Sequence, residues 1–413
     1  MLTERMVGEL RRRVAGLVDE HEVPGLAVGV CDADSVLWSA GFGSTRRGGD
    51  LPVDSETMFG VLSCSKMYTA TAVLLAVQEG LVDLDVPVPR YLPEFRVNSS
   101  FEQDPERRIT LRHLLGHTAG FTHEAPVGSN YLVGRESFEE HCRSIYDTWL
   151  RFPVGERYQY SNLGIDLAGY ILQRVTGLSF HEFVRRALFD PLALQRTTFD
   201  LKVIGSAERR AIGHSKGYGR LPVRVPMVAA GGLYTTVDDA CRYLQFHLCG
   251  GESLLSPDLL QEMYTGHEYG LGTALMQANG IPVRGHGGGG FGFLSDMYWA
   301  PEEKLGVVVL TNSTDHPLQW KLTAEIFTRI LATGEVDDPW NRAYAIHVGG
   351  VRDGTAWLRK ANGELFFDHW AGVTVGLQEH QPGLYISTTG EVLDLTRTPP
   401  TYANVRLHAL KDR

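Results

Sequence analysis

The sequence predicts an α+β fold. An antiparallel sheet is flanked by terminal helices and interrupted by a helical insert, and a small β domain follows at the C-terminal end. Three observations carry this. A helical repeat of apolar residues opens the chain and is followed at once by two short apolar runs around a polar turn. Two more apolar runs, Ser295 to Ala300 and Gly306 to Thr311, come late and are joined by Pro301-Glu-Glu-Lys304. Beyond Asp337-Asp-Pro339 the pattern changes to short alternating stretches with Asp353-Gly354, Asn362-Gly363 and Thr389-Gly390 as turn signals. Early and late strands that share one sheet, with helices from both ends laid on it, bury both sets of apolar faces.

The elements follow in order. Leu2, Met6, Leu10, Val14 and Leu17 recur at helical spacing, so residues 1–20 read as an amphipathic helix with Arg11, Arg12 and Arg13 on its solvated face. Leu26 to Cys31 and Val36 to Trp38 flank Asp32-Ala-Asp34-Ser35 as a hairpin. Phe59 to Gly80 reads as a short strand or loop, a turn and a helix with Gly80 as its C-cap. Ile109 to Phe121 reads as a capped helix ended by a turn, carrying His113 and His117 four residues apart. Residues 122–140 are irregular and are expected to lie over a pocket. Helices are expected over 165–175, 180–188, 238–249, 257–263 and 317–331. This gives a domain over 1–336, with a helical insert at about 80–220, and a β accessory domain over 340–413.

Composition narrows the function. A formal net charge of −10 and a pI of about 5.8 oppose a nucleic-acid surface and attraction to anionic membranes. The five cysteines are scattered and form no C-x-x-C pair, so neither a zinc site nor a disulfide framework is expected, and a reduced, cytoplasmic setting fits. Charged residues among the first thirteen leave no apolar core for a signal peptide, and no run is long and apolar enough to span a membrane. His113 and His117 lack the glutamate of an H-E-x-x-H site and any evident third ligand, so packing is their expected role and no metal is expected.

Ser63 and Lys66 lie three residues apart at a helix start, on one face and about one turn apart. Unpaired N–H groups and the positive dipole end favour a developing anion there. A buried lysine loses part of its preference for charge and can accept a hydroxyl proton. Taken alone, the pair also reads as a Ser N-cap followed by a surface lysine. The chain has seven lysines, and no other has Ser or Thr three residues before it. Tyr160-Ser-Asn162 and His286-Gly-Gly288 are the other two notable strings, each with a bland alternative in a turn or a Gly-rich strand.

In the order S-x-x-K, Y-x-N, H-x-G, these stretches resemble the serine hydrolases related to class C β-lactamases, penicillin-binding DD-peptidases, D-aminopeptidases and esterases of that fold. The resemblance covers roughly residues 10 to 332 and extends to the segments Phe59–Phe95, Leu111–Phe121 and Ala229–Thr236. It implies a β-lactamase/transpeptidase-like fold and assigns roles by position. Ser63 is the nucleophile, Lys66 its proton acceptor, and Tyr160 a shuttle whose phenolate needs a cation, for which Lys66 is the candidate. Asn162, His286 and Gly288 orient lysine and substrate, and the N–H groups of Ser63 and Gly289 form the oxyanion hole. His286 departs from the lysine of the K-T-G found in β-lactamases and DD-peptidases, so carboxylate-bearing substrates lose a charge partner.

The expected function is a cofactor-free serine hydrolase of small esters, amides or peptides, with acyl transfer open as a variant. A β-lactamase or DD-carboxypeptidase and a non-catalytic ligand-binding protein of the same fold are the alternatives. The expected partner is a small-molecule ester, amide or peptide substrate, with no nucleic acid and no membrane; nothing in the sequence sets the oligomeric state. His286-Gly-Gly-Gly imitates the oxyanion motif of α/β-hydrolases, but in that fold the motif precedes a G-x-S-x-G elbow; no such elbow is expected in this chain, and the run comes late in it.

Overall fold

The computed structural model describes residues 2–128, 136–216, 221, 223, 225–251 and 254–331, then 342–348, 351–361, 364–368, 374–381, 383–387, 392–396, 401–402 and 405–409. The chain divides into two compact units. One comprises residues 1–276 with 282–326, and the other 277–281 with 327–413. The second unit therefore begins earlier than residue 340 and takes in a short piece from before the last helix. Residues 337–339, read as a linker, lie outside the described residues.

The first unit opens with helix α1 (Glu4–Glu20), capped by the Thr3 side chain, with Leu10, Val14, Leu17 and Val18 buried. Strands β1 (Gly25–Asp32) and β2 (Val36–Gly43) form the expected hairpin. Strand β3 (Phe59–Gly60) and a 3₁₀ turn (Leu62–Cys64) lead into α2 (Ser65–Gln78). The insert supplies α3 (Leu111–Leu115), α4 (Phe138–Ser144), α5 (Asn162–Thr176), α6 (Phe180–Val184) and α7 (Leu201–Ser206), and α8 (Val228–Gly231) follows it. Strand β4 (Tyr234–Thr235) pairs with β3. Helices α9 (Val237–Leu248) and α10 (Pro257–Met263), strands β5 (Ala274–Ala278), β6 (Ile281–Gly290), β7 (Phe293–Ala300) and β8 (Leu305–Thr311), and helix α11 (Leu318–Leu331) follow, with β5, β6 and α11 each running across a boundary between the units.

The sheet runs β2-β1-β8-β7-β6-β5, so the early hairpin joins the late strands through an antiparallel β1–β8 pair. Strand β5 was not legible in sequence, being short and mostly not buried. β1 and β8 are buried along nearly their whole length, which is why both read as continuous apolar runs. Helix α9 packs against β1, β7 and β8. A Cβ on Gly29 would stand 2.6 Å from Cys241 Sγ and 2.7 Å from Val237 Cγ2, so glycine sets how closely α9 approaches the sheet.

Helix α2 lies in the core, with every residue from Ser65 to Ala76 buried. It is apolar or small all round because it has neighbours on every side, α5, α8 and α10 among them. Each of its buried Leu and Val side chains contributes about 1.5–3 kcal/mol relative to exposure. That burial fixes the helix end that carries Ser63 and Lys66.

Two local expectations are corrected. Helix α3 stops at Leu115, and His117 follows the Gly116 cap with φ +57°. His113 and His117 therefore do not share a helix face. His113 instead completes a capping box with Thr110. Likewise Asp353-Gly354 is not a hairpin turn. It lies within a strand, where the register shifts between Arg352 and Gly354, because the Asp-Gly chemistry that makes turns also makes bulges.

The second unit is a closed eight-stranded barrel, β9 (Arg342–Val348), β10 (Val351–Ala361), β11 (Glu364–Asp368), β12 (Thr374–Gln381), β13 (Leu384–Ser387), β14 (Val392–Asp394), β15 (Thr401–Tyr402) and β16 (Val405–Ala409). β16 pairs antiparallel with β9 to close it, which leaves no open strand edge. The expected turns at 362–363 and 389–390 lie outside the described residues.

Candidate active site

Ser63 sits in the 3₁₀ turn before α2, one step outside the regular helix. Leu62 beside it is buried and takes φ +46°, a left-handed conformation rare for a branched side chain. The turn is held by neighbours that leave it little choice. Val61 N–H donates to Leu233 O at 3.0 Å, and Val61 O accepts from Cys64 N–H at 3.1 Å and Ser295 Oγ at 2.8 Å. Backbone strain that is over-determined in this way belongs to sites that must present a side chain.

Lys66 is the most constrained group. Its side chain is fully buried, and Nζ lies 2.9 Å from each of three acceptors, Ser63 Oγ, Asn162 Oδ1 and Ala230 O. Asn162 Oδ1 and the Ala230 carbonyl can only accept. A neutral amine has two N–H bonds and one lone pair, so these two acceptors consume both N–H bonds and leave the lone pair aimed at the Ser63 hydroxyl. Burial lowers the Lys66 pKa from 10.5 to about 7, with Asp166, Cys64 and Glu124 pulling back toward the charged form.

Tyr160 precedes the Ser161 N-cap of α5, and its hydroxyl lies 2.8 Å from Ser63 Oγ. The expectation that Lys66 stabilises a Tyr160 phenolate is corrected here. Nζ lies over the ring, 4.9 Å from its centroid, and burial pushes the phenol well above its ordinary pKa. The protonated phenol donates, and the group that titrates near neutrality is the lysine. Asn162 opens α5 and is oriented from both ends, since its Nδ2 donates to Glu124 Oε1 at 3.1 Å while its Oδ1 accepts from Lys66.

His286 is on β6, tied to the same turn by Cys64 Sγ, which donates to the His286 carbonyl at 3.0 Å. Its ring is 6.0 Å from that of Tyr160, centroid to centroid. Nδ1 faces the Gly287 carbonyl at 2.5 Å, so the proton is on Nδ1, and Nε2 accepts from Tyr269 Oη at 3.0 Å. Burial and the Lys66 charge lower its pKa to about 3, so the imidazole is neutral at pH 7. Gly288 presses on the turn that carries Ser63. A Cβ there would lie 2.1 Å from Val61 O and 3.1 Å from Ser63 N, so only glycine fits. Gly289 follows, exposed and opposite Leu294 of β7.

The fold thus gathers Ser63, Lys66, Tyr160 and Asn162 into one hydrogen-bonded set, with His286 and Gly288 alongside. Sequence reasoning missed Glu124, Ala230, Tyr269 and His117. Ala230 acts through its backbone, which no side-chain pattern reveals. His117 is buried and neutral, accepts from Ser161 N–H at 3.3 Å, and packs 4.6 Å from the Tyr160 ring. Glu124 lies in the stretch read as loop over a pocket, of which residues 129–135 are outside the described set. The expectation of no G-x-S-x-G string is corrected, since Gly213-His-Ser215-Lys-Gly217 has the letters of a nucleophile elbow. Residues 213–216, however, lie outside any helix or strand, with His214 bridged to Ser313, rather than in a strand-turn-helix. Among the described residues no group of His, Cys, Asp and Glu has the arrangement of a metal site, and no helix is long and apolar enough to cross a membrane.

Comparison with known proteins gives one pattern. The beta-lactamase family model matches residues 10–325. Penicillin-binding protein 4 of Amycolatopsis lactamdurans is 28% identical over 331 residues, covering 73% of this chain and 84% of that protein. The octameric penicillin-binding protein homologue from Pyrococcus abyssi superposes with a TM-score of 0.73 at 24% identity, covering 96% of this chain and 95% of that one. The D-amino acid amidase from Ochrobactrum anthropi SV3, complexed with L-phenylalanine amide, gives 0.64 at 23% identity, covering 78% and 97%.

Proposed function

The chain belongs to the beta-lactamase family, and from that premise we propose that it is a serine hydrolase acting through a Ser63 acyl-enzyme on small esters, amides or peptides. The observation that carries this is the shared hydroxyl. Ser63 Oγ is contacted by Lys66 Nζ at 2.9 Å and by Tyr160 Oη at 2.8 Å, a base and an acid on one nucleophile.

Ser63 Oγ attacks the substrate carbonyl while its proton passes to the neutral Lys66 amine. The oxyanion is met by the N–H groups of Ser63 and Gly289. Tyr160 then delivers a proton to the departing alkoxide or amine and takes one back from the Lys66 ammonium, which borders the same Ser63 oxygen. Water, activated along the same path in reverse, releases the acid. A second alcohol or amine in place of water makes the reaction an acyl transfer.

Substrate choice follows from charge. Neutral His286 offers no cation to a substrate carboxylate, and Glu124 adds an acidic group beside Asn162. This favours uncharged or amine-bearing substrates, such as amino acid amides and esters, over penicillins and peptides ending in D-alanine. The similarity to a D-amino acid amidase fits that preference.

A fluorophosphonate probe, followed by peptide mass mapping, tests the proposal. Labelling is expected at Ser63 in the wild type and nowhere in Ser63→Ala. Folded wild-type protein that takes no label, or is labelled at another residue, refutes it.

A further inference from the structure

Behind Lys66 lies a second pair that the mechanism above does not use. His141 on α4 and Asp166 on α5 are both fully buried, with Nε2 3.1 Å from Oδ2. His141 Nδ1 faces the Val127 carbonyl at 2.8 Å, which can only accept. Both ring nitrogens therefore meet acceptors, the arrangement an imidazolium satisfies. Asp166 pushes the His141 pKa up, against the effect of burial. The other Asp166 oxygen, Oδ1, accepts from Ala230 N–H at 3.0 Å. The carbonyl of Ala230 is in turn one of the two fixed acceptors of Lys66. The carboxylate thus reaches the amine through one residue of α8.

We propose that His141 and Asp166 form a buried ion pair that acts through Ala230 as positioning residues, holding the Lys66 amine in line with Ser63 and setting how readily it takes a proton. The inference rests on Lys66 being the base at Ser63. Its physical motive is cost. Burying an ion pair is commonly no better for stability than packing apolar side chains of the same volume, so packing alone gives the fold no reason to keep one here. A negative charge near a buried lysine, by contrast, opposes the burial that drives its proton off, and Asp166 is the largest such influence on Lys66.

The other groups around Lys66 are Cys64 before its own helix, Glu124 and His117 from the insert, Tyr160 before α5 and His286 from β6, with His123 behind them, stacked 5.7 Å from the Tyr160 ring and 2.7 Å from Glu124 Oε1. Those facing the pair are Glu124 toward His141, and Cys142 with Glu139 around α4. Cys64, Cys142 and Tyr160 are held protonated by burial, and His117 and His286 neutral, so none of these changes charge near pH 7.

The second-order rate of Ser63 labelling by a fluorophosphonate, measured on the full chain from pH 5.5 to 9, reads the Lys66 titration without needing the substrate. The wild type is expected to lose rate about tenfold per pH unit below its midpoint. Asp166→Asn removes the negative charge, so its midpoint moves about one unit to lower pH. His141→Gln leaves the carboxylate unbalanced, so its midpoint moves the other way. Variants that fold with wild-type circular dichroism but keep the wild-type midpoint, changing only the maximal rate, overturn the proposal. If Asp166→Asn does not fold, His141→Gln decides alone, and an unmoved or lowered midpoint overturns it. A wild type labelled at Ser63 with no acid limb instead removes the premise that Lys66 is the base.

Discussion

Lys66→Met tests the central electrostatic claim without any appeal to catalysis. Methionine fills a similar volume and carries no proton to titrate. It leaves Asn162 Oδ1 and Ala230 O without their donor, a cost that does not depend on pH. The wild-type lysine has a pKa of about 7 when folded and about 10.5 when unfolded. Below pH 7 it is charged in both states, and the full cost of burying the charge is present. Above pH 7 the folded protein gives up the proton while the unfolded chain keeps it, so stability rises until pH passes 10.5. Integrating that difference, the wild type gains about 2 kcal/mol relative to the variant between pH 7 and pH 9. The neighbouring His117 and His286 are neutral throughout that range and cancel in the comparison. Urea unfolding followed by circular dichroism at 222 nm reports chiefly on the first unit, since every described helix except the end of α11 lies in it. A wild-type-minus-variant difference that stays flat or falls from pH 7 to 9 refutes the reasoning. It would mean that the buried amine keeps its proton and cannot be the base.

Tyr160→Phe keeps the ring contacts with His117 and His286 but removes the hydroxyl from Ser63. Turnover is expected to drop by about 10²–10⁴-fold, and more for amides than for activated esters, because the poorer leaving group needs the proton more. Paired kcat/KM measurements on one amide and its nitrophenyl ester check this. Gly288→Ala drives a methyl group into Val61 O and Ser295 Oγ, and is expected to abolish Ser63 labelling or unfold the turn, as thermal melts and probe labelling together will show. In Lys66→Met, which has no lysine charge to titrate in the site, the ratio of affinities for a carboxylate-bearing ester and its neutral analogue is expected to stay level from pH 8 to 5.5, because His286 takes up no proton until about pH 3. A ratio improving toward pH 6 would show a cationic imidazole in the pocket.

How much was legible depended on whether a feature is local. The S-x-x-K, Y-x-N and H-x-G strings located Ser63, Lys66, Tyr160, Asn162, His286 and Gly288, and the structure brings these residues together. The sheet was legible in part because β1 and β8 are buried strands that need unbroken apolar runs. His113 and His117 misled because spacing was counted through a helix end that Gly116 and a left-handed residue had already closed. The Tyr160 phenolate misled for another reason. Residue type suggested a cation beside the oxygen, whereas the fold puts it over the ring face.

Most of the helices and strands of the first unit, the acidic balance and the pairing of Ser63 with Lys66 at one helix start were determined by the sequence alone. They rest on periodicity and residue chemistry, which neighbours in the chain suffice to express. Only the tertiary structure decided that Lys66 is buried deeply enough to lower its pKa to about 7, that Asn162 bonds Glu124, and that Asp166, paired with His141, bonds the Ala230 N–H. Each of these depends on how much water is excluded and on which groups distant in sequence share a cavity, and dielectric and distance come into being only when the chain has packed.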